Sequence, residues 1–361
     1  MPYERLTGRK PLSAINLARP SHILYIASIV MQKKIRWGVL STANIGRTKV
    51  IPAIQTSRYG EVVAICSRVP GSARPVADEL GIAHAYDSYE ELLADPTIDA
   101  IYNPLPNHLH VPWSVKALEA GKHVLCEKPL GMDAADLNPL FNAAEQFPHL
   151  KVMEAFMYRF HPQWQKAREL ISNGSIGKLR SLHAHFSYNN RDNQNIRNNL
   201  AMGGGALLDI GCYGISVARF LFQAEPIRVI GHITPYPGHE VDCFVSAILE
   251  FAEGSATFTA STKIEPQQHV EASGEAGSLL VPLPFSPIAD TPTKIMLKRE
   301  QVYQDIPLPE SDQYREMADA FALSVLEDTP VPTPLGDALA NMKVIDAIFA
   351  SAQSRQWIEI N

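Results

Sequence analysis

The stretch "RWGVLSTANIGRTKV", residues 36–50, decides the fold of this 361-residue chain. It consists of an apolar strand, a turn of small residues and the start of a helix. In a G-x-G-x-x-G turn the first glycine forms the bend, the second admits a pyrophosphate, and the third lets helix and strand pack closely. Here Ser41, Ala43 and Gly46 take those places. The predicted cofactor-binding turn comprises Ser41, Thr42, Ala43, Asn44 and Ile45.

The surroundings of this turn predict a doubly wound α/β domain. Short apolar runs alternate with amphipathic stretches between Ile35 and Ala155, the pattern of strands and helices in a parallel sheet. A turn after the first strand of such a sheet places helix amides where they attract phosphate, so we favour a cofactor turn over a chance one. The predicted strands are Ile35–Leu40, Val62–Ser67, one near Ala85, Ala100–Asn103, His123–Cys126 and Val152–Ala155, with helices at 45–56, 73–80, 88–94, 110–120 and 133–146.

The second half of the chain changes its hydrophobic period. Leu182, Ala184, Phe186 and Tyr188 alternate with polar residues, which predicts a half-buried strand in an antiparallel sheet. Further strands are predicted at 227–234, 242–251, 256–262, 268–272, 294–299 and 302–306, with a hairpin turn at Ala252–Ser255 and two closing helices on stripes around Met317 and Met342. The predicted organisation is an N-terminal extension at 1–33, a Rossmann domain at 34–155, and an α+β domain with a large open, mostly antiparallel sheet at 156–361.

Composition narrows the possible partners. The net charge of -6 and the absence of long basic runs argue against nucleic acid as a partner. The four cysteines are widely spaced without a C-x-x-C pair, so neither disulfides nor zinc are indicated, and a reducing cytoplasm fits best. The apolar run "ILYIASIVM" in the first 31 residues is too short to span a membrane and is followed by no cleavage site, so we take Met31 as the native start.

The end of the second strand, "AICSRV", bears on the choice of nucleotide. An NAD enzyme places an acid about 20 residues beyond its glycine turn to bind the ribose 2′-hydroxyl. No acid stands there, whereas Ser67 and Arg68 offer a hydroxyl and a guanidinium that suit a 2′-phosphate. We therefore predict NADP (NADPH), the alternative being that Arg68 is a solvated surface residue.

Two segments carry the candidate chemistry. "HVLCEKPLG" places Glu127, Lys128 and Pro129 at the carboxyl edge of the predicted sheet, where open α/β sheets bind ligands. "GGGALLDIGCYG" places Asp209 and Tyr213 four residues apart on a predicted helix, hence on one face. We expect a nearby ammonium to lower the pKa of the Tyr213 phenol, which would make it the proton carrier. Packing roles for each residue are the alternative.

Together with "PLPNHLH" at 104–110 and "MEAFMYRFHPQW" at 153–164, these motifs resemble the Gfo/Idh/MocA oxidoreductase family. The resemblance spans nearly all of residues 34–361 and is greatest to the branch with NADP-dependent D-xylose dehydrogenases and dimeric dihydrodiol dehydrogenases. It implies that Lys128 and Tyr213 form the catalytic pair, that Asp209 supports them, and that a cis peptide precedes Pro129. It further implies cofactor contacts from Pro104, Asn107, His110, Glu127 and Lys128, and a substrate side formed by Arg159, Phe160, His161 and Tyr213.

Two H-x-H pairs, His108/His110 and His183/His185, have no third ligand at short spacing, so no metal is predicted.

The leading hypothesis is an NADP-dependent oxidoreductase that moves hydride between nicotinamide and a carbinol or carbonyl carbon of a sugar or cyclic diol. One alternative is a glycoside hydrolase that oxidises C3 transiently, and another is a non-catalytic NADP sensor. We expect a homodimer or homotetramer formed through the open sheet.

Overall fold

The computed structural model describes residues 33–234 and 236–360. The hypothesis that Met31 starts the native chain lies outside these residues.

The first sheet is six-stranded and parallel, with the order β3-β2-β1-β4-β5-β6. This is the order of a doubly wound dinucleotide-binding domain, and its topological switch point lies between β1 and β4. Every residue of β4, "AIYN", is buried, as expected for a strand covered by helices on both faces. The strands are β1 (Ile35–Val39), β2 (Gly60–Cys66), β3 (His84–Tyr86), β4 (Ala100–Asn103), β5 (His123–Cys126) and β6 (Val152–Glu154).

The predicted helices of this half are present. A π-helical turn, Gly46–Val50, continues directly into α1 and together they form the helix that follows the small-residue turn. The helices are α1 (Ile51–Gln55), α2 (Ala73–Leu80), α3 (Tyr89–Ala94), α4 (His110–Glu119) and α5 (Asn138–Gln146), followed by α6 (Pro162–Ser172).

The second sheet has nine strands in the order β14-β13-β12-β11-β7-β10-β9-β8-β15. All neighbouring pairs are antiparallel except β7 and β10, so the predicted open, mostly antiparallel sheet is confirmed. Two short strands, β12 and β15, were not predicted. The strands are β7 (Leu179–Asn189), β8 (Arg228–Thr234), β9 (Phe244–Phe251), β10 (Gly254–Ser261), β11 (Lys263–Gly274), β12 (Ser278–Val281), β13 (Thr293–Arg299), β14 (Val302–Leu308) and β15 (Ile358–Glu359).

Three further helices join the two sheets into one hydrophobic core: α7 (Cys212–Phe222), α8 (Gln313–Leu326) and α9 (Leu335–Ser354). Helices α7 and α9 pack on the large sheet, whereas α8 returns to the first sheet, where Phe321 lies 5.3 Å from Trp37 between ring centroids. Within the described ranges, one segment, Leu200–Phe222, is long and apolar enough to cross a membrane. In this structure 78% of its most apolar window is buried, as in a core helix.

Candidate active site

A cavity of about 840 Å³ opens at the carboxyl edge of the first sheet and is closed on its other side by the second sheet. Open α/β sheets bind their ligands at this edge. Segments far apart in sequence form its wall, including Tyr188 on β7 and Tyr314 on α8. Of the predicted site residues, those that line the cavity are Ser41, Ala43, Asn44, Ile45, Pro104, Asn107, His110, Glu127, Lys128, Asp209 and Tyr213.

The small-residue turn begins with a left-handed residue. Ser41 has φ of 75°, a conformation that favours glycine because a Cβ is strained there. Its Oγ accepts a hydrogen bond from the amide of Ala43 at 3.3 Å, which stabilises the bend locally. Thr42 lies in the same turn but is not among the residues that line the cavity. The serine therefore adopts the bend that the first glycine of such a turn makes.

Ser67 and Arg68 follow β2, the strand next to β1, and lie outside the cavity. The Ser67 hydroxyl is buried and accepts hydrogen bonds from Ser72 Oγ at 2.7 Å and from the Val69 amide at 3.2 Å. The Arg68 guanidinium lies 5.9 Å from the centroid of the Tyr89 ring. The two predicted nucleotide-selecting residues are thus neighbours at the carboxyl edge, with Arg68 exposed to solvent.

The expected cis peptide joins Lys128 and Pro129 at the end of β5. Lys128 Nζ donates to the backbone oxygen of Asp209 at 2.6 Å and lies 3.5 Å from its carboxylate. The same ammonium lies 4.8 Å from the centroid of the Tyr213 ring. Beside it, Glu127 accepts a hydrogen bond from Tyr102 Oη at 2.7 Å, and burial raises the pKa of Glu127. The three predicted catalytic side chains are therefore brought together.

The Asp209 carboxylate is the centre of this cluster. It accepts hydrogen bonds from Tyr188 Oη at 2.5 Å and from Arg197 Nε, which lies 3.1 Å from each carboxylate oxygen. Burial alone would raise the pKa of Asp209, but the charges of Arg197 and Lys128 and these hydrogen bonds lower it to about 2. Asp209 is consequently ionised at neutral pH and holds cations rather than carrying a proton.

Tyr213 differs from the expectation. Burial raises the pKa of Tyr213 well above its ordinary value, so the expected lowering by an ammonium was wrong. The Lys128 ammonium lies over the face of the Tyr213 ring. The Tyr213 hydroxyl donates to Met157 Sδ at 3.4 Å. The phenol is therefore neutral at pH 7 and retains a proton that it can donate.

The three glycines before this cluster leave room for backbone and carboxylate groups. Gly205 has φ of 122°, and a Cβ there would lie 2.0 Å from Asp242 Oδ1. Asp242 Oδ2 accepts from the Leu207 amide at 2.6 Å, and its backbone oxygen accepts from the Ala206 amide at 2.7 Å. Asp242 therefore caps the start of the helical segment that carries Asp209 and Tyr213.

His110, which the resemblance assigns to the cofactor side, lies on the cavity wall. Both ring nitrogens face backbone carbonyls, Nδ1 that of Pro129 and Nε2 that of Leu105, each at 2.7 Å. Burial lowers the pKa of His110 to about 4. The ring thus connects the two loops that flank the cavity. Asn107 Nδ2, on the same wall, donates to the Gly203 backbone oxygen at 2.8 Å.

Arg159 and His161 do not reach the cavity, which corrects their expected place on the substrate side. Arg159 Nη1 pairs with Asp337 on α9 at 2.8 Å, and Arg159 Nη2 donates to Ser216 at 2.9 Å. These contacts hold the Arg159 side chain in the protein interior. His161 is fully buried and its Nδ1 caps α6 by accepting from the Gln163 amide. Phe160 packs against the hydrophobic core.

Tyr188 and Arg197 line the cavity and contact Asp209, but neither of them was predicted from the sequence as a site residue. The alternation along β7 contained a usable signal for Tyr188, because its phase assigns that residue to the inner face. The polar segment around Arg197 has no comparable period. Its place beside Asp209 follows from tertiary contacts alone. In the part of the chain that the structure describes, no group of three or more His, Cys, Asp or Glu side chains could hold a metal ion.

A buried glutamate behind the cis peptide predicts a pH effect on stability. Glu154 Oε1 accepts from the Leu130 amide at 2.9 Å, whereas Oε2 has no hydrogen-bond partner among the described residues. Burial and the charge of Asp337 raise the pKa of Glu154 to about 8. Because the folded state retains a proton that the unfolded state loses near its ordinary pKa, the free energy of unfolding falls between about pH 4.5 and pH 8.

We therefore expect Glu154→Gln to be more stable than the wild type at pH 8.5 by about 2–4 kcal/mol, and similar at pH 4.5. Denaturant titrations of both proteins at the two pH values measure this, and taking the difference between the two proteins removes the contributions of other titrating groups. Parallel pH dependences of the two proteins would show that Glu154 is ionised in the folded state.

Comparison with known proteins agrees with this architecture. Residues 35–155 match the oxidoreductase family with an NAD-binding Rossmann fold, and residues 164–280 match the Gfo/Idh/MocA C-terminal domain. A D-xylose 1-dehydrogenase (NADP(+)) from Haloferax volcanii is 36% identical, with 90% of this chain and 99% of that protein covered. A trans-1,2-dihydrobenzene-1,2-diol dehydrogenase from Xenopus laevis is 32% identical over 75% of this chain and 81% of that protein.

A solved structure is similar throughout. The crystal structure of a 3-ketoreductase from Actinomadura kijaniata, in complex with NADP and TDP-benzene, has a TM-score of 0.84 and 32% identity, and covers 88% of this chain and 98% of that one. The fold and the cavity thus define an enzyme class with a nucleotide-binding domain and an open-sheet domain. The chain belongs to the Gfo/Idh/MocA family of oxidoreductases.

Proposed function

We propose that this protein is an NADP-dependent oxidoreductase that transfers hydride between nicotinamide and a carbinol or carbonyl carbon of a sugar or cyclic diol. The observation that carries the proposal is the meeting of Lys128, Asp209 and Tyr213 at the carboxyl edge of a Rossmann sheet. Two relatives, a D-xylose 1-dehydrogenase (NADP(+)) and a trans-1,2-dihydrobenzene-1,2-diol dehydrogenase, support this substrate class.

The cavity wall offers a fitting place for the dinucleotide. At the end of β1, the left-handed Ser41 turns the chain into a helix, and the cavity wall continues along that helix with Thr48 and Lys49. Helix amides and a lysine suit a pyrophosphate, and Ser67 with Arg68 suits a 2′-phosphate. We assign this role to residues 34–155, and substrate binding to residues 156–361. The matches at 35–155 and 164–280 support this division.

NADPH supplies the hydride. Tyr213, neutral because of its burial, donates a proton to the substrate oxygen in the reductive direction. Lys128 provides a positive charge beside that oxygen, and Asp209 fixes the ammonium through its backbone and carboxylate oxygens. The aromatic rings around Tyr213, among them Phe186 and Phe285, keep water from the phenol.

The experiment that tests the proposal is a thermal-shift titration with NADPH and NADH, followed by nicotinamide absorbance with a panel of aldoses, ketosugars and cyclic diols. Stabilisation by NADPH and a change in absorbance with one substrate class are the expected results. Release of sugar from a glycoside without net NADPH formation would replace the proposal with glycoside hydrolysis. Binding without turnover of any panel member would replace it with a sensor.

The selection of NADPH over NADH gives a prediction at Arg68. The exposed guanidinium of Arg68 follows β2, and we expect Arg68→Ala to weaken NADPH binding by about ten- to a hundred-fold and NADH binding by less than about twofold. Fluorescence titration of both nucleotides measures this. Arg74→Ala is the matched control, because Arg74 pairs with Asp78 on α2 at 2.8 Å. An equal loss for both nucleotides would refute the assignment.

We further propose a cytoplasmic homodimer or homotetramer that associates through the outer face of the nine-stranded sheet. Four free, buried cysteines are consistent with a reducing compartment. On the outer face Ile248 is 41% exposed, as an interface residue would be in a separated subunit. Light scattering that gives the mass of one subunit at micromolar concentration would contradict this association.

A further inference from the structure

Arg197 lines the cavity and, like Tyr188, contacts the carboxylate of Asp209. It lies in a short 3-10 turn, Ile196–Asn198, within the polar segment that follows β7. Its Nε lies 3.1 Å from both carboxylate oxygens of Asp209. The side chain of Arg197 is 43% exposed and that of Asp209 only 12%. One end of the guanidinium is thus engaged with the cluster while much of the side chain remains accessible.

The hydrogen bonds of the guanidinium to the described residues are made through Nε alone. Within residues 33–234 and 236–360, neither Nη1 nor Nη2 of Arg197 makes a hydrogen bond. An arginine beside a carboxylate ordinarily pairs through two parallel N–H groups, but here a single Nε is shared between two oxygens. Four N–H donors in a fixed plane are therefore available at the cavity wall.

The neighbours of Arg197 indicate what those donors would bind. Gln194 and Asn195 line the same wall with neutral amides, and Asn107 lines the opposite loop. Amides and a planar fork of donors are suited to a ligand rich in hydroxyl oxygens. Among the described residues, the charged side chains on the cavity wall are the cations Lys49, Lys128 and Arg197 and the carboxyl groups Glu127 and Asp209. Cationic groups thus outnumber carboxyl groups by one, which suits oxygen acceptors.

We propose that Arg197 is a substrate-positioning residue whose Nε orients Asp209, and hence Lys128, while its terminal amino groups bind an oxygen on the carbon next to the reacting carbon. This inference rests on the proposed function and makes it more specific: the preferred substrates carry neighbouring oxygens, as vicinal diols and hydroxy-carbonyl sugars do. Arg197 thereby couples recognition of the second oxygen to the placement of the ammonium at the first.

The test compares wild type, Arg197→Gln and Arg197→Lys in steady-state kinetics at saturating NADP. The substrates are D-glucose and trans-cyclohexane-1,2-diol, each beside its analogue without the neighbouring hydroxyl, 2-deoxy-D-glucose and cyclohexanol. We expect Arg197→Gln to raise KM for the complete substrate by at least about tenfold and to lower kcat by a similar factor. The analogues, which lack the second oxygen, should show no increase in KM.

Arg197→Lys separates the two roles. A lysine retains a charge near Asp209 but lacks the planar fork, so kcat should recover more than KM. The control is Arg191→Gln in the same segment, because Arg191 Nε donates to Asn189 Oδ1 at 3.3 Å and the residue does not line the cavity. The backbone oxygen of residue 197, which accepts from the Gly205 amide at 2.9 Å, is unchanged in every variant.

An Arg197→Gln enzyme with wild-type KM for the complete substrates, or with the same rise in KM for the analogues, would overturn the inference. To keep this distinct from failure of the proposed function, the thermal shift caused by D-glucose and by the diol is also measured on NADPH-saturated protein. If the wild type binds these ligands without turnover and Arg197→Gln does not bind them, the proposed function fails and the binding role stands. Absence of any shift in the wild type overturns the binding role.

Discussion

Substitution of Lys128 by methionine is expected to lower kcat by about 10³-fold, because the variant loses the positive charge beside the reacting oxygen. Lys128 Nζ has a single well-defined place, 2.6 Å from the Asp209 backbone oxygen and 4.8 Å from the centre of the Tyr213 ring. Methionine fills a similar volume, so the packing around the cis peptide should persist. Single-turnover hydride transfer at saturating NADPH measures the effect on chemistry apart from product release.

Two controls accompany this variant. Lys116→Met removes a lysine that lies over Trp113 and pairs with Glu90. None of these three residues lines the cavity, so kcat should stay within about twofold of the wild type. Thermal melting of Lys128→Met checks that the loss is not unfolding. Turnover by a folded Lys128→Met enzyme at more than a tenth of the wild-type rate would show that the positive charge of Lys128 does not stabilise the reacting oxygen.

The second large effect is expected at Gly205, where an alanine should lower the free energy of unfolding by about 2–4 kcal/mol. The added Cβ would lie 2.0 Å from Asp242 Oδ1. Either the carboxylate moves, which leaves the amide of Leu207 without its cap, or the backbone abandons its φ of 122°. Because the capped segment carries Asp209 and Tyr213, activity should fall together with stability.

Gly121→Ala is the matched control, since Gly121 has φ of 76° but no atom within 4 Å of an added Cβ. It isolates the strain of a left-handed alanine, which is about 1 kcal/mol. Guanidinium denaturation of both variants separates the backbone strain of alanine at positive φ from the steric clash of the added Cβ with Asp242. Equal destabilisation by the two substitutions would mean that the position of the Asp242 carboxylate does not require a glycine at position 205.

Much of the first sheet could be predicted from local pattern. The strands Ala100–Asn103 and His123–Cys126 and the helix Ala73–Leu80 have the predicted bounds, because hydrophobic periodicity and turn residues act over a few neighbours. The short strands Ser278–Val281 and Ile358–Glu359 were missed, since each is held by pairing with distant strands rather than by its own pattern.

The residues of the candidate site could likewise be predicted in part from the sequence. Motifs identified Lys128, Asp209 and Tyr213, and the phase of one strand already contained the position of Tyr188. The ionisation of these groups was not predictable, because the raised pKa of Tyr213 and the lowered pKa of Asp209 depend on burial and on charges from other segments. A phenol expected to lose its proton easily is in fact held neutral.

The amino-acid sequence by itself determined the order of strands and helices, the small-residue turn after the first strand and the family to which the chain belongs. Only the tertiary structure decided which positively charged side chains line the cavity. Arg159 pairs with Asp337 in the core, whereas Arg197 reaches Asp209 at the cavity wall. Charge pairing and desolvation depend on distances between residues that the sequence separates widely, and no local period encodes those distances.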